Sequence, residues 1–493
     1  MSLIEQSAAA FPNSAAIIDV NGNSVSYAKL NETVLSLAEY LHARGIQRNQ
    51  RVAVVIENGL EMAVVYLAVS NIASFVPLSS DFTIDQYSYY LDILRTDTLI
   101  VSRENQIELL DLAKERKMTV YNLVKKEGNG TEDILFDFTG GPQPNNSNPV
   151  IHAKDDDIAV VNYTSGTTSA PKIVPRSHIN EYTYSKICKA YLNLTSQDRL
   201  LLITPMSRHI SLDLGLSVLG AGGCIICADK YESNLFFRLL SQASPTWFSA
   251  SPVVYQNIID YAENNHINDK YNLRFVMSAG APLSKTLEDR IQRVFKIPVY
   301  NAYGSTEAAF IAANSKSPMG MKDFSLGVPA FVDLAIMDEK GQVLSINNKG
   351  EIVVRGPQVI KRYDNDEQTN KESYHGEWFR TGDEGYLDED GYLFITGRFK
   401  EIINRGGEKI CPYEVEEALC QHPDVRKAAV FPMPGANGNE EAGAAIVLKT
   451  GSKMYLKDMR RFLYGKVVTF KIPTALYILP EIPAGDAGKI QRK

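Results

Sequence analysis

Apolar and polar residues follow helical and strand spacings in turn along the first part of the chain. The segment VSYAKLNETVLSLAEYLHARGI has apolar residues every three or four positions, which predicts a helix that ends near Gly45. RVAVVIE predicts a strand, GLEMAVVYLAVSN a second helix and SFVPLS a further strand. This order predicts parallel sheets covered by helices. The residues expected on the buried face of the first helix are Leu30, Val34, Leu37, Ala38 and Leu41.

The later part of the chain changes its pattern twice. The polar stretch GPQPNNSNP predicts a surface loop before a second run of helices and strands, from about Asp157 to Arg355. Short strands with many turns follow in GEIVVRGP and GYLDEDGYLFITG. A helix in PYEVEEALCQHP and strands in KAAVFPM and GAAIVLK come next, before a last helix and a basic tail. The charged segment GRFKE, around Lys400, is the candidate boundary between two domains.

Composition narrows the class of protein. The chain has 493 residues, 44% of them hydrophobic, which favours two or more packed units. A net charge of −7 does not indicate nucleic acid or an anionic membrane as a partner. We expect no secretory signal and no membrane span, because no apolar run reaches about 20 residues. The five cysteines show no disulfide framework, so Cys224 and Cys227 are interpreted as core residues of a reduced, cytoplasmic protein.

The segment YTSGTTSAPK, from Tyr163 to Lys172, follows the predicted strand IAVVNY. Its hydroxyl groups, backbone amides and lysine charge are suited to phosphate oxygens. It is not a Walker A loop, because the pattern G-x-x-x-x-G-K-[ST] is absent. The alternative interpretation is a flexible Ser/Thr turn.

The segment NAYGSTE, from Asn301 to Glu307, follows the predicted strand FKIPVY. An aromatic ring beside a glycine is suited to a nucleobase, and Thr306 and Glu307 are suited to a phosphate and its Mg²⁺. The alternative is a strand-to-helix turn in which the threonine and the glutamate are ordinary capping residues.

Two further segments contain charged candidates. Asp383 and Arg398 are expected on either side of a hairpin, where they are suited to ribose hydroxyls and phosphate oxygens. A surface salt bridge is the alternative for this pair. Lys489, in AGDAGKIQRK, is interpreted as a solvated charge when it is considered alone.

Together, YTSGTTSAPK, NAYGSTE, FRTGD, GRFKEIINRGGEKI and GKIQRK resemble the adenylate-forming superfamily of acyl- and aryl-CoA synthetases, nonribosomal adenylation domains and luciferases. The resemblance is collinear from Val25 to Lys493, and its motifs are closest to the oxalyl-CoA synthetase-like branch. It implies an α/β fold, with a large N-terminal domain of αβ-layered sheets and a small β-barrel-like subdomain over residues 1–399. It also implies a small, mobile α+β C-terminal domain over residues 400–493, joined at Lys400.

The resemblance implies which residues contact the phosphates and the metal ion. Lys172 and Thr306 match phosphate contacts, and Glu307 matches the magnesium carboxylate. Lys489 matches the lysine that contacts the acyl carboxylate and the α-phosphate during adenylation. The remaining residues that match the phosphate loop are Thr164, Ser165, Gly166, Thr167 and Thr168.

The resemblance also implies which residues contact the nucleoside. Tyr303 matches the residue that stacks on adenine, and Asp383 matches the ribose ligand, assisted by Arg398. Two positions depart from the family pattern: Ser169 and Ile173 stand where glycine is usual, which makes the phosphate loop stiffer. The other implied nucleotide contacts are Gly280, Ala281, Pro282, Asn301, Ala302 and Gly304.

The implied acid pocket favours an acid without an α-amine. Counting back from Gly222–Gly223, His209 stands where amino-acid-activating members have an aspartate for the substrate amine. A small polar acid is favoured and an aryl acid stays open. A core role for His209 and a solvent-facing position for Asp213 are the alternatives. The implied pocket residues are His209, Ile210, Asp213, Ser249, Met277, Ala279, Ala302, Phe310 and Ile311.

The implied reaction uses ATP and Mg²⁺ to form acyl-AMP, releases pyrophosphate and passes the acyl group to a thiol. CoA is the first candidate acceptor, the phosphopantetheine of a carrier protein in trans is the second, and an amine is a remoter option. In the family, rotation at Lys400 withdraws Lys489 and brings Gly406, Gly407 and Glu408 to a pantetheine tunnel. A simple turn is the alternative for the two glycines. An inactive relative that serves as a nucleotide-binding interaction module is the hypothesis from another class.

Overall fold

The computed structural model describes residues 3–102, 106–125, 136–144, 150, 152–164, 171–228, 231–315, 320–364, 366–435 and 439–483. The α/β fold predicted from the sequence is confirmed. It is built from two large, mostly parallel sheets with helices, an antiparallel sheet and a smaller C-terminal part.

The first large sheet has the strand order β7-β6-β5-β3-β4-β8-β9, in which the five central strands are parallel and β7 and β9 are antiparallel to their neighbours. The central strands are apolar runs, as expected for strands covered on both faces. The strands are β3 (Arg51–Val55), β4 (Ser74–Pro77), β5 (Thr98–Ser102), β6 (Thr119–Lys125), β7 (Phe136–Gly140), β8 (Ile158–Thr164) and β9 (Lys172–Ser177).

The second large sheet has the order β16-β15-β14-β13-β12-β10-β11-β1-β2, parallel from β14 to β1 and antiparallel at both ends. The strands are β1 (Ala15–Ile18), β2 (Ser24–Ser26), β10 (Arg199–Leu202), β11 (Cys224–Cys227), β12 (Trp247–Ala250), β13 (Val276–Ser278), β14 (Val299–Ser305), β15 (Ala309–Asn314) and β16 (Val328–Pro329).

Ten helices are described before the third sheet, and the largest apolar cluster joins several of them to both large sheets. The helix predicted from VSYAKLNETVLSLAEYLHARGI is confirmed as α2, whose N-terminus is capped by the Ser26 hydroxyl and whose predicted apolar face is buried. The helices are α1 (Leu3–Ala10), α2 (Tyr27–Ala43), α3 (Leu60–Ile72), α4 (Ile84–Leu94), α5 (Ile107–Glu115), α6 (His178–Tyr191), α7 (His209–Leu219), α8 (Ser233–Gln242), α9 (Pro252–Asn264) and α10 (Lys285–Phe295).

The predicted β-barrel-like subdomain corresponds to a five-stranded antiparallel sheet, ordered β17-β18-β20-β19 with β21 paired to β20. Its apolar face packs on residues of β9 and β15, so it closes one end of the two large sheets. The elements are β17 (Asp333–Met337), β18 (Gly350–Arg355), α11 (Glu367–Glu372), β19 (Tyr374–His375), β20 (Trp378–Leu387) and β21 (Leu393–Arg398).

The C-terminal part has its own apolar cluster, whose buried members lie between Ile403 and Ile472. Polar contacts join it to the preceding part. The Tyr413 hydroxyl donates to the carbonyl oxygen of Leu283 at 3.3 Å, and Arg426 pairs with Asp260 at 2.8 Å. The elements are β22 (Ile403–Arg405), β23 (Glu408–Ile410), α12 (Pro412–Cys420), β24 (Val425–Pro434), β25 (Glu440–Leu448), α13 (Leu456–Leu463) and β26 (Ala475–Ile478).

Two sequence-based interpretations can be compared with this fold directly. Cys224 and Cys227 lie on β11, are buried and form no disulfide, which confirms their core position. Among the helices of the described ranges, every one is too short or too polar to cross a lipid bilayer.

Candidate active site

The predicted phosphate loop joins β8 to β9, the last two strands of the first large sheet. Thr164 and Lys172 stand directly opposite each other in the antiparallel pairing of these strands. The five loop residues Ser165, Gly166, Thr167, Thr168 and Ser169 lie outside the described residues. The fold therefore fixes the two ends of the loop at the edge of the sheet, with the lysine at the start of its second strand.

Lys172 and Glu307 meet at one tyrosine that the sequence analysis did not identify. The Nζ atom of Lys172 lies 4.4 Å from the ring centroid of Tyr363, and the hydroxyl of that tyrosine donates to Oε1 of Glu307 at 2.8 Å. Burial lowers the pKa of Lys172, while the nearby charge of Glu307 opposes that shift. The structure thus brings the predicted phosphate lysine and the predicted metal ligand to one place.

The segment NAYGSTE forms a β-hairpin, which corrects two expectations. Asn301 to Ser305 belong to β14 itself rather than following a strand, and the chain returns as β15 rather than as a helix. Gly304 is required by the close approach of the strands, because a Cβ there would lie 2.0 Å from the carbonyl oxygen of Ala309. Thr306 and Glu307 therefore lie in the tight turn of this hairpin.

Tyr303, Asp383 and Arg398 form one hydrogen-bonded group. The Tyr303 hydroxyl donates to Oδ2 of Asp383 at 2.7 Å, and Nε of Arg398 donates to Oδ1 at 2.8 Å. Asp383 and Arg398 are direct partners across the β20–β21 hairpin, as the sequence predicts. The group joins the predicted base-stacking residue to the predicted ribose ligands.

The other predicted nucleoside contacts lie on neighbouring parallel strands. Asn301, on β14, pairs with Ser278 at the end of β13, and Ala302 is buried beside it. The residues Gly280, Ala281 and Pro282 follow β13 directly, and Gly280 has a φ of +87°. Because the carboxyl ends of parallel strands share one edge of a sheet, this loop and the segment around Tyr303 lie at the same edge.

Most of the predicted acid pocket is also brought together. Ser249, Met277, Ala302 and Phe310 lie on the four consecutive neighbours β12, β13, β14 and β15. The side chains that share one apolar cluster are Met277, Ala302 and Phe310 in its buried part, with Ile210 and Ala279 packed against it.

Ile311 does not join this group. Its side chain is fully buried on the opposite face of β15, among residues of the five-stranded sheet. The reason is the alternation of side chains along a strand, which sends Phe310 and Ile311 to opposite faces. The prediction that both line one pocket is therefore wrong for Ile311.

His209 and Asp213 belong to a buried polar cluster beside this pocket. Nε2 of His209 lies 2.8 Å from Oδ2 of Asp213, one helical turn further along α7. Asp213 is 0% exposed, so the alternative of a solvent-facing carboxylate is wrong. The ring of Tyr184 lies edge-on to both His209 and Phe310, at centroid distances of 6.3 and 6.4 Å.

The sequence analysis missed two members of the cluster, Arg176 and Glu181. Nε of Arg176 donates to Oε1 of Glu181 at 2.5 Å, and both side chains are buried. Nη1 of Arg176 also donates to the carbonyl oxygen of Thr306 at 3.0 Å. The signal in the sequence was an arginine inside the apolar segment KIVPRS, with a glutamate five residues later.

Burial shifts the protonation of this cluster strongly. It raises the pKa of Glu181 to about 7 and that of Asp213 to about 6, because a low-polarity environment disfavours the charged form. Burial also lowers the pKa of His209 to about 3, and the charge of Arg176 adds to that shift. His209 is therefore neutral near pH 7, and both carboxyl groups keep a proton to a higher pH than an exposed carboxyl group does.

The residues predicted for domain movement lie away from these groups in sequence. Lys400 is exposed in a short 3₁₀ helix, Phe399–Glu401. Gly406 and Gly407 form the turn between β22 and β23 with φ values of 62° and 95°, which favour glycine. Lys489 lies outside the described residues.

Comparison with known proteins gives family matches over most of the chain. Residues 4–364 match the AMP-binding enzyme family, and residues 414–489 match the AMP-binding enzyme C-terminal domain. An oxalate–CoA ligase of Arabidopsis thaliana is 32% identical over 498 residues, covering 100% of this chain and 96% of that protein. An oxalate–CoA ligase of Saccharomyces cerevisiae is 31% identical, covering 90% of this chain and 86% of that protein.

A solved structure shares the whole architecture. The crystal structure of ATP-bound MatB from Rhodopseudomonas palustris has a TM-score of 0.86 and 25% identity, and covers 99% of this chain and 97% of that one. The resemblance to adenylate-forming enzymes and the prediction of an acid–thiol ligase are confirmed, because the curated relatives are CoA ligases. The chain belongs to the AMP-binding enzyme family.

Proposed function

We propose that this enzyme uses ATP to convert a carboxylic acid into an acyl-AMP and then transfers the acyl group to the thiol of CoA. The observation that carries the proposal is the pair of contacts made by Tyr363 with Glu307 and by Tyr303 with Asp383. These contacts gather groups suited to phosphate, metal, base and ribose from distant parts of the sequence. The CoA ligase activity of the relatives supports the choice of reaction and acceptor.

The nucleotide-binding role rests on the chemistry of the donor set. Asp383 presents two carboxylate oxygens, which Tyr303 and Arg398 contact in this structure and which the two ribose hydroxyls suit equally well. Tyr303 supplies the aromatic face for adenine beside the loop Gly280–Pro282. Lys172, at the start of β9, supplies a positive charge suited to the phosphates.

Glu307 fits the role of a magnesium ligand. It is an oxygen donor beside the buried positive charge of Lys172, in a turn whose backbone Arg176 holds. A bound Mg²⁺ supplies positive charge that offsets the repulsion between phosphate oxygens and an incoming carboxylate. The hydrogen bond from Tyr363 orients the carboxylate of Glu307, the proposed metal ligand.

The reaction balances in two steps. A carboxylate oxygen of the acid attacks the α-phosphorus, the bond to the β-phosphate oxygen breaks, and pyrophosphate leaves. The thiol loses its proton to solvent, its sulfur attacks the acyl carbon, and AMP leaves with the electrons of the broken C–O bond. We assign the lysine charge near the α-phosphate to Lys489 in the first step, where it stabilises the developing charge.

We further propose that residues 1–399 and 400–493 alternate between the two steps about a hinge at Lys400. The separate apolar cluster of the C-terminal part supports this division. The contacts of Tyr413 and Arg426 with the preceding part are polar, which suits surfaces that part and rejoin.

The acid is proposed to be small and to lack an α-amine. A neutral His209 offers no counter-charge to an ammonium group, and an unpaired ammonium in a closed pocket is costly. The pocket side chains Met277 and Phe310 are apolar, while Ser249 and His209 supply polar atoms. The oxalate substrate of two relatives supports a short acid with a second polar group. A cytoplasmic location is part of the same proposal.

The test is ATP–pyrophosphate exchange with a panel that includes oxalate, other dicarboxylic acids, aryl acids, fatty acids and free amino acids. We expect exchange with a small acid, followed by CoA-dependent release of AMP. Absence of exchange with every acid would contradict the proposed activity. Faster exchange with a free amino acid than with any plain acid would contradict the proposed acid class.

A further inference from the structure

Four charged or titratable side chains lie together under the proposed acid pocket, with His209 at the top. Arg176 comes from β9, Glu181 from the start of α6, and His209 and Asp213 from α7. One ligand atom each of Glu181, His209 and Asp213 lie within 4.8 Å of one another. We call these four residues the buried charge cluster.

The sum of the charges in the cluster indicates whether a proton or a divalent cation would neutralise it. Arg176 supplies one positive charge and two carboxylates supply two negative charges, so one further proton makes the cluster neutral. Burial raises the pKa of both Glu181 and Asp213, which favours a proton held within this pair of carboxyl groups. A divalent cation would fit the spacing of the ligand atoms, but it would leave one uncompensated positive charge in a buried site. The balance favours the proton.

A contribution to folding stability does not readily explain why these charged residues are buried together. Arg176 and Asp213 are 0% exposed, and removing such charges from water costs several kcal/mol per ion. Apolar residues of similar size commonly give equal or greater stability at such positions. Several of its atoms, including Nη2 of Arg176 and both oxygens of Asp213, have no conventional hydrogen-bond donor or acceptor among the described residues.

The positions of the polar contacts suggest a different use. Nε2 of His209 lies 2.8 Å from Oδ2 of Asp213, outside conventional hydrogen-bond geometry, so the carboxyl group limits where the imidazole ring can lie. Arg176 links Glu181 to the carbonyl oxygen of Thr306, which precedes the proposed magnesium ligand. The cluster therefore touches the wall of the acid pocket on one side and the hairpin turn of the nucleotide site on the other.

We infer that Arg176, Glu181 and Asp213 are positioning residues that hold His209 against the acid substrate and tie its position to the turn at Thr306. This inference rests on the proposed function. None of the three residues is assigned a contact with the reacting atoms. They affect catalysis by positioning His209. Substitutions at these residues should therefore change the binding of the acid much more than the binding of ATP.

The experiment is a double-mutant cycle between Asp213→Asn and His209→Ala, measured by ATP–pyrophosphate exchange. Asparagine keeps the shape of the side chain and removes its charge. We expect Asp213→Asn to raise the KM for the acid by about tenfold, as for loss of one buried polar contact, and to change the KM for ATP less than about twofold. In the His209→Ala background the same substitution should have no further effect on the KM for the acid.

A matched control is Asp198→Asn. Asp198 is also buried and pairs with Arg274 at 2.8 Å, but it precedes β10, at the edge of the sheet opposite to the site. We expect this variant to lose stability without a change in the KM for the acid. A change in acid KM as large as that of Asp213→Asn would show a general effect of buried charge and would overturn the inference.

The apolar triple variant Arg176→Leu, Glu181→Leu, Asp213→Leu separates folding from positioning. We expect it to fold, with an unfolding temperature near that of the wild type, and to have a raised KM for the acid. A normal acid KM in the triple variant, additive effects in the cycle or failure of the triple variant to fold would each reject the positioning role. Exchange by the wild-type enzyme in the same series tests the proposed function separately.

Discussion

The hydroxyl of Tyr363 donates a hydrogen bond to Glu307 at 2.8 Å, while the ring of the same tyrosine lies under the ammonium group of Lys172. The side chain of Tyr363 therefore orients the Glu307 carboxylate and contacts the ammonium group of Lys172. This arrangement keeps two opposite charges near each other, where both can interact with a nucleotide and its metal ion.

Tyr363→Phe should separate these two contacts. Phenylalanine keeps the ring under Lys172 but cannot orient Glu307. We expect the Mg²⁺ concentration for half-maximal exchange to rise about tenfold, since a hydrogen bond to a charged group contributes roughly 1.5–3 kcal/mol. Titration of Mg²⁺ at saturating ATP measures this. Glu307→Gln serves as the reference for loss of the ligand, and an unchanged Mg²⁺ dependence in both variants would remove Glu307 from the metal site.

Tyr303→Phe should show how much the hydrogen bond between Tyr303 and Asp383 contributes to ATP binding, apart from the proposed contact of Asp383 with ribose. The substitution keeps the aromatic face and removes the hydroxyl that Asp383 accepts from at 2.7 Å. The expected change in the KM for ATP is about threefold or less, whereas Asp383→Ala should raise it about tenfold or more, because it removes the proposed ribose acceptor. Binding of 2′-deoxy-ATP provides a further comparison: Asp383→Ala should no longer discriminate it from ATP. Continued discrimination would contradict the ribose role.

Asp213→Asn should change how stability depends on pH. The pKa of Asp213 is about 6 in the fold against an ordinary 3.8, so the folded protein holds a proton that the unfolded chain has lost. Stability from this group is therefore present at low pH and falls as the pH rises through about 4 to 6. Relative to the variant, the wild type should lose roughly 1 kcal/mol of unfolding free energy between about pH 5 and pH 8.

Chemical unfolding of both proteins at each pH measures this difference. The groups that face Asp213 are the same in both proteins, but the charge of Asp213 also raises the pKa of Glu181, so the difference reports the titration of this pair. A difference that is constant with pH would mean that Asp213 titrates normally. These facing groups are Tyr66, Arg176, Glu181, Tyr184, Cys188 and His209.

Lys489→Ala and Lys400→Pro should affect opposite half-reactions. The first variant lacks the positive charge that stabilises the attack on the α-phosphorus, so adenylation should be slower by about a hundredfold or more. Thioester formation from supplied acyl-AMP should be unaffected. The second fixes φ near about −65° at the proposed hinge, which should spare adenylation and slow transfer. Single-turnover assays with ATP plus acid, and separately with acyl-AMP plus CoA, measure the two steps. Equal loss of both steps in both variants would contradict domain alternation.

The sequence allowed good prediction wherever a local pattern decides the structure. The buried face of α2 and the pairing of Asp383 with Arg398 both follow from spacing within a short segment. The sequence predicts a site at NAYGSTE but does not predict that this segment is part of a β-hairpin. The return of the chain as β15 depends on the close approach of the two strands at Gly304. That approach involves the backbone of the next strand and leaves no periodic signal.

The buried charge cluster shows where prediction from sequence stops. Arg176 and Glu181 are charged residues, which are usually exposed, and only their partners on another helix make their burial possible. Ile311 shows the same limit in a milder form, since the direction of one side chain on β15 depends on the register with β14. Long-range pairing decided both cases.

The close approach at Gly304 has a consequence for how this enzyme can change. Tyr303 lies on one side of the glycine and Glu307 lies in the turn just beyond it, so the two share a single stiff hairpin. Any side chain at this glycine would push the strands apart and displace both residues at once. Variation that adapts the enzyme to another nucleotide therefore cannot act on base recognition through this hairpin without also moving the metal ligand. The β20–β21 hairpin, which carries Asp383 and Arg398, does not contain Glu307, so a change of side chain there leaves the hairpin of the metal ligand in place.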